Sequence, residues 1–273
     1  MKGSSLYRMI CKMRREVGGG LRLALAGLRD LFFVRGCVVC GAELEAGDDA
    51  GGGAGCDSGR AAGRVSGCRH LCPACLDDIP LTYFWSYSEN AAMELLGGRC
   101  RVYNAASLFF YRHGSGYCEI VRRFKYGGDI ALGLWASRLL GDYLACSGLY
   151  GRVQAVVPVP LHWRKRLSRG FNQAEIIARG VAQRLGEVPV VPHLLRRRRY
   201  TATQTRRSAS SRAGNVRGAF ALDRREALRL RKAGIRYILL VDDVLTTGAT
   251  LSECIRLLQD DFTVLVATLG FVE

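Results

Sequence analysis

The sequence predicts an α/β fold, a parallel sheet flanked by helices with a small metal-binding module ahead of it, and three observations carry that prediction. From residue 105 onward, short apolar runs rich in branched residues alternate with segments of helical spacing, the order that builds a parallel sheet. One such run ends in Asp242 and Asp243, then turns through Thr246, Thr247 and Gly248 into a helical segment. Two Cys-x-x-Cys pairs, Cys37 with Cys40 and Cys72 with Cys75, precede all of this.

The elements follow in order. Residues 21–33 read as an amphipathic helix within an N-terminal region, 1–33. Residues 34–85 form the cysteine module, interrupted by a Gly-rich insertion, 46–67, with the composition of a flexible linker. The α/β domain spans 100–273. In it, 105–111, 154–159, 188–191, 237–241 and 263–268 are apolar and branched enough to be strands. Residues 116–125, 130–144, 172–185 and 251–259 have helical spacing. Ligands of such sheets bind beyond the carboxyl ends of the strands. Here those ends are 158–170 and 242–250.

The stretch 238–250 is the most informative. A strand that turns into a helix presents unpaired backbone N–H groups and the positive end of the helix dipole, a natural anion site. Thr246, Thr247 and Thr250 add hydroxyl donors, and Gly248 lets the backbone approach a phosphate closely. Asp242 and Asp243 beside that cradle suit ribose hydroxyls, directly or through hydrated Mg²⁺. Phosphate next to vicinal hydroxyls describes a ribose 5-phosphate. The alternative is an ordinary junction whose acids and threonines cap the helix.

Charge is uneven. Twenty of the 40 basic residues but only four of the 24 acidic ones lie between Arg164 and Arg236, an excess equal to the whole formal net charge of +16. Such a segment is either a solvated face or a surface for polyanions such as pyrophosphate, nucleotides or nucleic acid. Nothing is apolar for long enough to span a membrane. Arg22, Arg29 and Asp30 interrupt what would be the apolar core of a signal peptide, so a cytoplasmic protein is expected.

Eleven cysteines in an unsecreted chain argue for thiols or metal rather than a disulfide framework. Cys37, Cys40, Cys72 and Cys75 can complete a tetrahedral thiolate site for structural Zn²⁺, against the alternative of free thiols. Cys56, Cys68 and His70 are near enough in sequence to substitute as ligands.

The stretch with Asp242, Asp243, Thr246, Thr247, Gly248 and Thr250 resembles the motif with which type I phosphoribosyltransferases bind phosphoribosyl pyrophosphate (PRPP). Three further features narrow the resemblance. They are Val157–Leu161 (VPVPL) followed by Arg164, Lys165, Arg166, Arg169 and residues 170–174, the Gln204-Thr205 segment with Arg212 and residues 215–220, and the cysteine pairs. Together they are similar to the ComF family, which joins a zinc-ribbon-like module to a phosphoribosyltransferase domain.

That resemblance implies a type I phosphoribosyltransferase fold, Mg²⁺ with PRPP, and a link to DNA uptake in natural transformation. It assigns Asp242 and Asp243 to the ribose, and Thr246, Thr247, Gly248, Ala249 and Thr250 to the 5-phosphate. Pro158, His162, Arg164, Lys165 and Arg166 would receive pyrophosphate, and Gln204, Thr205 and Arg212 would belong to a mobile loop over the reacting centre. Arg207 stands where the family has a leucine. His162 reads more readily as a loop or packing residue than as a catalytic one, and Lys125 as either a pyrophosphate contact or a surface residue. The implied function is phosphoribosyl transfer to a nitrogen nucleophile. The alternative is a protein that handles single-stranded DNA among competence and DNA-processing partners and uses the PRPP site as a ligand or allosteric site.

Overall fold

The computed structural model describes residues 36–44, 68–163, 166–167, 170–198 and 218–273. The region 1–33, the insertion 46–67, Arg164, Lys165 and the loop residues Gln204, Thr205 and Arg212 lie outside them.

Four strands, β1 (Asn104–Phe110), β2 (Ala155–Pro158), β5 (Tyr237–Leu245) and β6 (Thr263–Phe271), form a sheet in the order β1-β6-β5-β2. Every pairing is parallel, as the alternating pattern predicts. Ile238, Leu239, Leu240 and Val241 are fully buried, as are Leu265, Val266 and Ala267 beside them. Residues buried on both faces make continuous apolar runs rather than alternating ones. The outer edge of β1 is covered by the chain leaving the cysteine module. Thr82 N–H donates to the Leu108 carbonyl (3.1 Å) and Phe110 N–H to the Pro80 carbonyl (2.8 Å).

Helices flank the sheet, the first of them lying within the cysteine module. They are α1 (Pro73–Asp77), α2 (Ala91–Gly97), α3 (Cys118–Tyr126), α4 (Ile130–Cys146), α5 (Gln173–Arg184), α6 (Arg224–Lys232) and α7 (Ala249–Leu258). The pair α4 and α5 meets through small residues: a Cβ on Gly180 would come within 2.5 Å of the Ser137 Cβ. No helix of the described residues is long and apolar enough to cross a membrane.

Two expectations need correction. The apolar run expected as a strand over 237–241, ending in the two acids, continues as strand through Asp242 and Asp243 to Leu245. Pairing with β6 carries it on: Asp242 is opposite Thr268, Val244 opposite Gly270 and Leu245 opposite Phe271. The strand expected over 188–191 reduces to a single parallel bridge from Val190 to Val156. Pro189 and Pro192, on either side, have no N–H to give a ladder. A hairpin that periodicity does not announce, β3 (Leu195–Arg197) antiparallel to β4 (Phe220–Leu222), stands apart from the main sheet.

Candidate functional site

The site is assembled at the carboxyl edge of β2 and β5. Pro158 is in register with Val241, and Val159 N–H donates to the Val241 carbonyl (2.9 Å). The chain leaving β2 therefore emerges beside the acids. Asn172 ties down the far end of that connection, donating to the Val159 carbonyl (3.1 Å) while its Oδ1 accepts from Ala174 N–H at the start of α5. Within it, the His162 carbonyl accepts from Arg166 N–H (3.0 Å), and the Arg166 guanidinium lies 3.5 Å from Glu175. His162 is buried, and its neighbour Trp163 is 58% exposed.

Asp242 and Asp243 are partly buried. The Asp242 carboxylate accepts from Asp243 N–H (2.9 Å). Lys125 Nζ, arriving from the last turn of α3, lies 3.0 Å from Asp243 Oδ1. Burial and the neighbouring Asp243 raise the Asp242 carboxyl to about 7, against the opposing pull of Lys125 and Arg197. Burial alone would lower the Lys125 ammonium, but the two acids outweigh it and hold its pKa above the ordinary value. Arg197, on β3, stacks on the Phe220 ring (5.1 Å to its centroid) and is depressed by burial, with Asp242 opposing. The acid pair of β5 is thus held against Lys125 of α3, and the positive charge of Arg197 on β3 also acts on it.

Thr246 and Thr247 follow the strand, and Gly248 occupies the N-cap of α7 in the left-handed region (φ 71°). A glycine has no side chain to cap with, and the acids lie earlier in the chain, within β5. The N-cap residue itself therefore supplies no side-chain cap to the leading N–H groups of α7, and Thr250 stands in the helix's first turn. The turn is braced from outside: Arg99 donates to the Thr247 carbonyl, and Arg256 of α7 donates to the Arg99 carbonyl (3.2 Å). Sequence patterns gave no sign of Arg99, because its partner is 148 residues away, while the run Arg196–Arg199 reads in the sequence only as a phosphate contact or a solvated basic edge.

The four predicted cysteines also converge. The sulfur atoms of Cys37, Cys40, Cys72 and Cys75 all lie within 4.8 Å of one another. Each pair sits in a tight turn, with Gly41 N–H donating to the Cys37 carbonyl (2.9 Å) and Leu76 N–H to the Cys72 carbonyl (2.9 Å). Burial raises the Cys37 thiol, but N–H groups of Cys40, Cys72 and Val39 more than reverse this and bring it to about 6. These four cysteines could bind a structural metal. Cys68 and His70 do not join the group, and His70 Nδ1 instead lies 4.0 Å from Asp129. The module rests on the α/β domain through Tyr117, whose hydroxyl donates to the Cys75 carbonyl (2.9 Å).

Comparison with known proteins agrees with the motifs. The chain is 33% identical over 145 residues to Competence protein F of Haemophilus influenzae, covering 51% of this chain and 60% of that protein. It is 38% identical over 103 residues to the DNA utilization protein YhgH of Salmonella typhi and 37% to that of Escherichia coli K12, covering 42% of each. The chain thus spans about half the length of the curated relatives it matches. No family model matches it. Among solved structures, a glutamine PRPP amidotransferase from B. subtilis complexed with ADP and GMP aligns over 54% of this chain and 30% of its own, with a TM-score of 0.34 and 19% identity. The parallel sheet flanked by helices, preceded by a four-cysteine cluster, is the architecture expected from the sequence.

Proposed function

We propose that this chain, similar to Competence protein F and the YhgH proteins, is a PRPP-binding protein of the ComF family that transfers the phosphoribosyl group to a nitrogen nucleophile and serves DNA uptake in the cytoplasm. The observation that carries this is the arrangement at the end of β5: an acid pair, then an uncapped helix N-terminus framed by Thr246, Thr247 and Thr250. Backbone N–H groups and hydroxyls would hold a 5-phosphate. Asp242 and Asp243 offer adjacent carboxylate oxygens to ribose hydroxyls and suit a hydrated Mg²⁺. Their negative charge would also favour positive charge developing at the anomeric carbon. Pro158, His162, Arg164, Lys165 and Arg166, on the chain leaving β2, would accompany the pyrophosphate. Gln204, Thr205 and Arg212 would close over it and exclude water. The four cysteines would hold one Zn²⁺ as a staple, since four thiolates leave no open position for catalysis.

Calorimetric titration with PRPP and Mg²⁺ tests the ligand, and pyrophosphate release across a set of nucleobases tests turnover. Binding by the wild type that is lost in Asp242→Asn/Asp243→Asn supports the reading. Equal binding by both proteins sinks it.

A second reading rests on charge. The concentration of cations between Arg164 and Arg236, with exposed Trp163 among them, suits single-stranded DNA, whose binding combines phosphate neutralisation with base stacking. In that case the PRPP site would act as a ligand or allosteric site, and DNA-processing proteins would be partners. Steep salt dependence of binding to single strands favours it.

A further inference from the structure

We infer that single-stranded nucleic acid is held at the amino edge of the sheet, on a platform of Tyr103, Tyr237 and Arg152 at the opposite end of β5 from the acid pair. The inference rests on the nucleic-acid reading above and adds the surface that performs it.

Three elements converge there. Tyr103 leads into β1, its N–H donating to the Val264 carbonyl (2.8 Å), and its side chain is 51% exposed. Tyr237 opens β5 and meets Tyr103 edge to face, ring centroids 6.1 Å apart. Arg152 precedes β2, with its guanidinium 5.7 Å from the Tyr237 ring centre and 3.1 Å from the Tyr237 hydroxyl. Gln154 fixes the spacing, its Oε1 accepting from Arg236 N–H (2.7 Å) and Tyr237 N–H (3.1 Å).

Charge on this edge is lopsided. Arg101, Arg152, Arg224, Arg231 and Arg236 gather there against Asp260 and Asp261. Asp260 pairs with Arg101 (2.6 Å), while Asp261 is shared by Arg231 (2.9 Å) and Arg224 (3.6 Å). Cations remain in excess around an exposed aromatic face. Stacking with neighbouring guanidinium groups is how proteins grip unpaired bases and their phosphates. A duplex hides its base faces and would gain only the phosphate part. From Tyr237 to Asp242 the strand rises about 17 Å, at roughly 3.3 Å per residue, so nucleic acid here would leave the PRPP site open.

Fluorescence anisotropy of the full chain with a labelled oligo-dT, against duplex of the same length, tests this. Tyr103→Ala and Arg152→Ala should each weaken single-strand binding about tenfold. Tyr103→Phe, which keeps the stacking face, should bind like wild type, and PRPP titration of all three should be unchanged. Single-strand affinity unaltered in Tyr103→Ala and Arg152→Ala, with wild-type binding intact, overturns the platform alone. Absence of single-strand binding by the wild type overturns the nucleic-acid reading with it.

Discussion

The Lys125 ammonium lies 3.0 Å from the Asp243 carboxylate, with each side chain about one-fifth exposed. This contact joins the last turn of α3 to the site end of β5. It also supplies the nearest compensation for two adjacent acids.

Removing that cation leaves Asp243 beside Asp242 without its partner. Lys125→Gln should therefore cost about 2 kcal/mol, below the roughly 3–5 kcal/mol of a fully buried pair because some solvent reaches this one. Urea unfolding measures it. Lys125→Gln/Asp243→Asn should recover part of the loss, as a double-mutant cycle reads coupling directly. Independent, additive costs would show that the contact carries no energy.

Asp242 gives a pH dependence. Burial and Asp243 raise its carboxyl to about 7 in the folded protein, against about 3.9 in an unfolded chain. The folded state therefore holds the proton more tightly. Asp242's contribution to stability is full below about pH 4 and is lost as pH rises to about 7. Affinity for Mg²⁺ with PRPP should run the other way, since it needs the carboxylate, strengthening up to about tenfold per unit towards pH 7. Melting temperature and calorimetry between pH 5 and 8 check both trends, and Asp242→Asn should flatten each.

The cysteine cluster predicts one zinc per chain. Chelation should lower the melting temperature, and Cys37→Ser or Cys75→Ser should abolish metal uptake. Cys68→Ala should not, because Cys68 is outside the four-sulfur group. Metal analysis of the purified chain and these variants decides it.

Much of this was legible because it depends on local order. Continuous apolar runs fix buried parallel strands, and paired cysteines at fixed spacing fix two metal-clipping turns. The carboxyl-edge position of Asp242 and of the chain after Pro158 followed from strand order alone. What was not legible depends on partners distant in sequence. Arg99, just beyond α2, braces the Thr247 carbonyl, Glu253 of α7 accepts from Gly218 N–H at the root of β4 (2.7 Å), and the charge of Arg197, from a separate hairpin, acts on Asp242. The short helix α2 escaped for another reason. Asn90 caps it, accepting from Met93 N–H (3.0 Å), while its amide reaches the Phe84, Tyr87 and Ala105 carbonyls. A cap of that kind is set by tertiary contacts more than by periodicity. The extension of β5 beyond the acids to Leu245 is not visible in the apolar run, because it is set by pairing with β6 that continues through them.

Gly248 ties the turn to the rest of the fold, and Gly248→Ala tests that tie. Its φ of 71° is a conformation that L-residues rarely hold, costing roughly 1–2 kcal/mol. An added Cβ would also stand 3.1 Å from the Leu96 Cδ2, so α2 would have to yield by a few tenths of an ångström. Relaxing the strain would rotate the first N–H groups of α7 away from the position proposed for the phosphate. The variant should unfold about 1–2 kcal/mol more easily and bind PRPP at least tenfold more weakly. Leu96→Ala, which removes the crowding but leaves the φ unchanged, should not restore binding to Gly248→Ala. If Gly248→Ala loses stability but keeps full PRPP affinity, the helix N-terminus is not where the phosphate sits.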